Sequence, residues 1–185
     1  MFAAMRARVA LVAGIGVGVL ALVLDPGQAC AGEDDRAISL DVAFVSFSAG
    51  EELVPYGGLL GVEYERGISE AFALRAAASG ALLYEDGTED LDAGLVWRGQ
   101  AVAGVVYLFD VLKYVPYATL GFGAVARGGG PVETEVHPVL ELGGGLDLLR
   151  SRTFSWGAYV RVSSYLDDEA AFTAGARATW RWGLF

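Results

Sequence analysis

The sequence predicts an all-β chain, an eight-stranded antiparallel up-and-down transmembrane β-barrel. Three observations predict it. Beyond an N-terminal apolar run, residues alternate with period 2 through eight segments, the mark of half-apolar strands. Each segment covers the roughly 9–11 residues that a tilted strand needs to cross a bilayer, plus ends. The connections between segments alternate in charge and length. Composition bounds the rest. A chain of 185 residues fits one domain, and 54% hydrophobic content with a mean hydropathy of +0.43 is too apolar for disorder. Glycine, at 26 residues, is about twice its usual share without a collagen period. A net charge of -10 disfavours nucleic acid as a partner. One Cys and one His exclude a disulfide framework, a zinc finger and any Cys/His metal cluster. No cofactor motif is present.

The N-terminus reads as an address. Arg6 and Arg8 precede 16 apolar residues, 9–24, which Pro26 and Gly27 break. Ala29 and Ala31 then offer small residues at the -3 and -1 positions of a cleavage site. Residues 1–31 are expected to be a removed signal peptide, and 32–185 the barrel domain. Cys30 has a rival reading as a lipoprotein acceptor, for which Gly27 and Gln28 make a poor lipobox.

The eight segments follow in order: 37–48, 56–66, 71–84, 96–110, 114–127, 136–149, 154–165 and 171–185. The first carries one charge, Asp41, opposite in parity to Phe44. The second sets Glu63 and Glu65 on one face and Tyr56 and Tyr64 on the other. The third sets Arg75 against Phe72 and Tyr84. In the fourth, Trp97, Ala101, Ala103, Val105, Tyr107 and Phe109 alternate with Arg98, Gln100, Val102, Gly104 and Val106. The fifth runs from Tyr114 and carries Phe122. The sixth places His137, Glu141 and Asp147 on one parity. The seventh alternates Trp156, Ala158, Val160 and Val162 with Ser155, Gly157, Tyr159, Arg161 and Ser163. The eighth alternates Phe172, Ala174, Ala176, Ala178, Trp180 and Trp182 with Thr173, Gly175, Arg177, Thr179 and Arg181.

The faces are assigned by size. An eight-stranded interior is narrow and filled by side chains, so small residues with a few charges suit it, and bulky apolar faces suit lipid. This accounts for the glycine excess. It puts Asp41, Glu63, Glu141 and Asp147 in the lumen against Arg75, Arg98, Arg161, Arg177 and Arg181. Unpaired charges there are costly, so salt bridges across the barrel are expected. Outward aromatics gather into two rims: Tyr64, Phe72, Tyr107, Phe109, Tyr114, Trp156, Trp180 and Trp182, and opposite them Phe44, Tyr56, Tyr84, Trp97 and Phe172. Trp97 to Tyr107 spans about 25 Å along a tilted strand, the height of a lipid band between aromatic girdles. Phe122 is the exception, lying between the rims.

The connections 49–55, 85–95, 128–135 and 166–170 hold twelve acids and no Lys or Arg. The connections 66–70, 110–113 and 150–153 are short and hold four bases against two acids. In an up-and-down barrel with both termini periplasmic, the acidic set is extracellular. It reads as solvated loops, or more sharply as weak divalent-cation sites or contacts for a basic partner; the spacing of Asp86, Glu89, Asp90 and Asp92 does not match an EF-hand.

A signal peptide, eight amphipathic segments, alternating connections and a terminal Phe185 together resemble the small outer-membrane barrels of the OmpA/OmpX type, without the C-terminal peptidoglycan-binding domain of larger relatives. The resemblance covers nearly the whole mature chain and is architectural. It implies residence in the outer membrane of a Gram-negative-type bacterium, contact with outer-membrane lipid and lipopolysaccharide, and insertion by the barrel-assembly machinery. The C-terminal assembly signal would comprise Trp180, Trp182 and Phe185. Family members usually place apolar residues two and four before the last aromatic; here those positions are Gly183 and Arg181. The resemblance implies a structural, surface-interaction or weak pore role. Two alternatives stand beside it. One is a lipid-modifying outer-membrane enzyme, whose base would be His137 with Ser151, Ser155, Ser163 or Ser164 as nucleophile. The other is a secreted, soluble, lipocalin-like binder with the faces reversed. His137 has no serine-bearing motif around it, and Glu141, four residues on, shares its face. The reading is therefore non-enzymatic.

Overall fold

The computed structural model describes residues 35–48, 55–69, 71–85, 94–109, 114–129, 132–165 and 169–183. The expected signal peptide, Cys30, most of the acidic connections and Phe185 lie outside the described residues. Eight strands follow one another: β1 (Arg36–Ser48), β2 (Tyr56–Gly67), β3 (Phe72–Glu85), β4 (Gly94–Leu108), β5 (Tyr114–Gly129), β6 (Val132–Leu149), β7 (Phe154–Tyr165) and β8 (Ala170–Trp182). Each pairs antiparallel with its neighbours, and β1 pairs with β8 to close the barrel. Closure leaves no unpaired edge, which membrane-spanning strands require.

The bounds match the period-2 segments within two residues, with two exceptions. β6 begins at Val132, four residues before the expected start. The 128–135 connection, expected as an acidic loop, is therefore mostly a hairpin tip, with Gly129 opposite Val132 and a register shift after Arg127. The polar residues of Gly-Pro-Val-Glu-Thr-Glu masked this pairing. β8 stops at Trp182, three residues before the expected end. At Gly183 the chain turns to φ 98°, a conformation that glycine adopts without steric penalty.

Burial alternates along the strands, most regularly in β1 and β7. In β1, Ser39, Asp41, Ala43, Val45 and Phe47 are buried, while Leu40, Val42 and Phe44 are more than half exposed. In β7, Ser155, Tyr159, Arg161 and Ser163 are buried, and Trp156, Val160 and Val162 face out. A soluble protein rarely exposes a contiguous apolar surface of this extent. The lipocalin-like arrangement, with its charges outside, is not the one observed. Between the rims, the described outward positions carry no charge; Arg36 and Arg66 stand at the rim, paired with each other and level with Trp182.

Aromatic contacts mark both rims. At the end bearing the short turns, Phe72 meets Tyr107 at 5.0 Å between ring centroids, Tyr107 meets Phe109 at 4.7 Å, and Phe154 meets Trp180 at 5.3 Å. At the other end, Tyr56 bridges Phe44 and Tyr84.

The interior departs from the expected filling of small residues and charges. A first apolar cluster lies toward the long-connection end and includes Val45, Phe47, Leu83, Val96, Val125, Val139 and Tyr165. A second includes Ala43, Ala73, Val106, Tyr117 and Tyr159. Glycine supplies the room these side chains occupy. A Cβ added to Gly57, Gly104 or Gly123 would collide with the carbonyl oxygen of Leu82, Leu120 or Ala101 on the next strand. Backbone atoms in a closed sheet cannot move aside cheaply. Gly123→Ala is therefore expected to destabilise the barrel by about 1–3 kcal/mol, as overpacking does. Outward Gly58, with no atom near an added Cβ, should tolerate alanine. Urea unfolding of both variants in lipid vesicles checks this; equal midpoints would contradict the close inward approach.

Candidate functional site: the barrel lumen

All nine charged residues assigned to the lumen point inward, and every one lies on the buried parity of its strand. Alternation aims them; closure brings them together. Glu63 on β2 is the hub. It forms an ion pair with Arg75 on β3 at 2.7 Å and accepts from Arg161 on β7 at 2.7 Å and Arg177 on β8 at 3.2 Å. Arg75 reaches across the lumen to Glu141 on β6 at 2.6 Å, and Gln100 donates to the same carboxylate at 2.9 Å. Arg161 also holds Asp41 at 3.1 Å. Arg177 grips Asp147 through Nε and Nη2, both at 2.9 Å, a paired fork geometry. Arg181 adds a bond to Asp147 at 3.1 Å and one to Ser155.

Sequence reasoning set Glu65 on the face of Glu63 but left it out of the lumen acids, and it missed a second part of this network altogether. Glu65 is buried and bonds to Arg177 Nη1 at 3.1 Å, beside Glu63. Its shared parity with Glu63 was the available signal. The second part is aromatic. Arg177 stacks on Tyr117 at 3.9 Å from the ring centroid, Arg161 on Tyr159 at 4.2 Å, and Arg98 on both Phe47 and Tyr165. No spacing rule along one strand reveals contacts between strands that are distant in the chain.

Arg98 stands apart from the network. It meets Glu169 at 3.5 Å, and Arg127 meets the same carboxylate at the same distance. Glu169, expected as a solvated loop acid, therefore faces two guanidiniums. At the turn end, burial raises the Asp35 carboxyl above its ordinary range, and Arg181 nearby pulls it down.

No family model matches the sequence, and no curated protein does. Solved structures do match in fold. Ail, the attachment invasion locus protein of Yersinia pestis, aligns at 21% identity and TM-score 0.54, over 81% of this chain and 99% of Ail. Neisserial surface protein A aligns at 14% identity and TM-score 0.63, over 78% of this chain and 96% of its own. OprG of Pseudomonas aeruginosa aligns at 10% identity and TM-score 0.60, over 81% and 97%.

The chain has the fold of the small eight-stranded outer-membrane β-barrels.

Within this barrel, charged and apolar side chains pack the lumen. Five carboxylates and four guanidiniums interlock between strands one to three apart around the wall, and the first apolar cluster lies toward the long connections. A cavity of about 10 Å³ among Asp41, Arg75, Gln100, Glu141 and Arg161 has the scale of one water molecule. His137 faces inward near the long-connection rim, 3.3 Å from Glu135. Glu141, which spacing offered as its partner, is engaged by Arg75 and Gln100 instead. Ser155 lies at the opposite end of the barrel, bonded to Asp147 and Arg181. Ser163 is opposite Glu141, four residues or roughly 13 Å along β6 from His137, and Ser164 faces out. Among the described residues no group of His, Cys, Asp and Glu could hold a metal ion. Trp180 and Trp182 of the expected assembly signal both face outward at the turn-end rim.

Proposed function

We propose that the protein is an integral outer-membrane barrel, residues 32–185 after removal of 1–31, with a lumen that serves as a structural ionic lock. Both termini are periplasmic in this reading. Its role is a surface one, carried by the face that bears the acidic connections. The observation that carries the reading is the network centred on Glu63, which ties β2, β3, β7 and β8 together across the lumen. Solvated ions need continuous water, and a filled eight-stranded interior offers little.

The partners follow from the surfaces. The outward apolar band meets outer-membrane lipid and lipopolysaccharide, and Trp180, Trp182 and Phe185 address the barrel-assembly machinery. The acidic connections lack Lys and Arg, so they favour cationic groups, including weakly held divalent cations, over the sulfated sugar analogue seen with Ail. A non-enzymatic role is supported by the separation of His137 from Ser155 and Ser163 and by the engagement of Glu141 with Arg75.

Purified protein in planar bilayers should show no stable conductance steps. The outer-membrane fraction should contain a band whose gel mobility changes on boiling. Sustained single-channel steps would overturn the closed lumen, and recovery in the soluble fraction would overturn the membrane reading.

A further inference from the structure

We infer that the mid-lumen cavity among Asp41, Arg75, Glu141 and Arg161 is a binding site for one water molecule, which joins Asp41 to the two arginines, and that it takes no ion. The site requires only the closed barrel and stands apart from the surface role proposed above.

Three of the side chains that line the cavity carry a buried polar atom with no protein hydrogen-bond partner: Asp41 Oδ1, Arg75 Nε and Arg161 Nε. All three residues are more than nine-tenths buried, with 3%, 3% and 6% of their surfaces exposed. Their remaining groups are engaged. Asp41 Oδ2 accepts from Arg161 Nη1 at 3.1 Å, Arg161 Nη2 donates to Glu63 at 2.7 Å, and Arg75 Nη1 donates to Glu141 at 2.6 Å. Arg161 Nε stands 3.9 Å from Glu141, too far for a hydrogen bond. A buried acceptor and two buried donors on charged side chains are costly to leave unsatisfied, so each calls for a partner.

Size and the mix of donors and acceptor select that partner. A cavity of about 10 Å³ suits one sphere of water size. A halide would accept from both Nε–H groups but would face Asp41 Oδ1 with like charge. A sodium ion would suit Oδ1 but would meet two guanidiniums. Water gives a hydrogen to Oδ1 and accepts both N–H groups on its lone pairs, three bonds in all, the usual number for a buried water. Charge agrees with this choice. The lining holds two carboxylates, Asp41 and Glu141, and two guanidiniums, Arg75 and Arg161, and they are already paired with each other. The water joins Asp41 on β1 to Arg75 on β3, two members of the network that otherwise meet through Arg161 and Glu63. Val62 and Val102 complete the wall with apolar surface.

The test is a crystal structure of the detergent-folded barrel, grown in sodium bromide, at a resolution that shows ordered waters, with data collected at the bromine edge. The expected result is density without anomalous signal, within about 2.7–3.2 Å of Asp41 Oδ1 and of Arg75 Nε or Arg161 Nε. In Val102→Ile, whose added methylene fills the cavity, that density should be gone. Water 17O relaxation dispersion in detergent should count one long-lived water fewer in Val102→Ile than in wild type. Val160→Ile, on the lipid face, should leave the count unchanged. The wild-type map decides the site even where Val102→Ile does not fold. An empty cavity, a bromide peak inside it, density bonded to Asp41 alone, or an unchanged water count in folded Val102→Ile would overturn the site.

Discussion

Arg177→Ala should cost the folded barrel about 3–5 kcal/mol, the penalty for removing one member of a buried ionic cluster. Arg177 is the shared partner of Asp147, Glu63 and Glu65, with its side chain fully enclosed. Without it, Glu65 loses its ion pair and Asp147 loses a two-point grip, while the carboxylates stay where strand parity aims them. The penalty comes from buried charge left behind, so removing that charge should restore stability. Arg177→Met combined with Glu65→Gln should recover a large part of the loss. Arg152→Ala, on an exposed turn, should stay within about 0.5 kcal/mol of wild type. Urea titration of vesicle-folded protein, read by tryptophan fluorescence and by unboiled gel mobility, measures all three. A loss below about 1 kcal/mol for Arg177→Ala would mean that the cluster is not a lock.

Ala103→Arg should cost about 2–4 kcal/mol, the range for a guanidinium at the bilayer midplane on the lipid side of a strand. Ala103 is exposed, lies between Ala76 and Phe122 on the flanking strands, and sits midway between the rims marked by Trp97 and Tyr107. Its neighbour Val102 is buried, so parity changes within one residue. The effect should fall off toward the rims, where an arginine can reach headgroups; Arg36 and Arg66 already stand there. The same urea titration for arginine at Ala103 and at Tyr107 reads this depth dependence. Equal costs at both positions would place Ala103 outside the lipid band.

The two variants probe opposite sides of one wall, and the sequence carried different amounts of information about each. The outward side is legible along single strands. Trp156, Ala158, Val160 and Val162 repeat every second residue, and a strand's side chains alternate by geometry alone. Strand number, parity and both rims therefore follow without knowledge of neighbours. The same rule picks out Asp41, Glu63, Arg75, Glu141, Asp147, Arg161, Arg177 and Arg181 as inward. It failed where polarity hid pairing, as at 128–135, and where the rim acid Glu169 turned toward Arg98 and Arg127 rather than to solvent.

What the sequence by itself determined is thus the alternation: which residues face lipid, which face the lumen, and that there are eight such segments. These depend on the period-2 geometry of a strand, a property of consecutive residues. Only the tertiary structure decided who meets whom inside. Glu63 gathers Arg75, Arg161 and Arg177 from three other strands, Arg177 finds Tyr117, and Arg98 lies between Phe47 and Tyr165. Those contacts depend on how far each strand slides against the next as the sheet closes. That stagger is a property of the whole ring, set by every register together and by glycines such as Gly104 and Gly123 that let the strands approach.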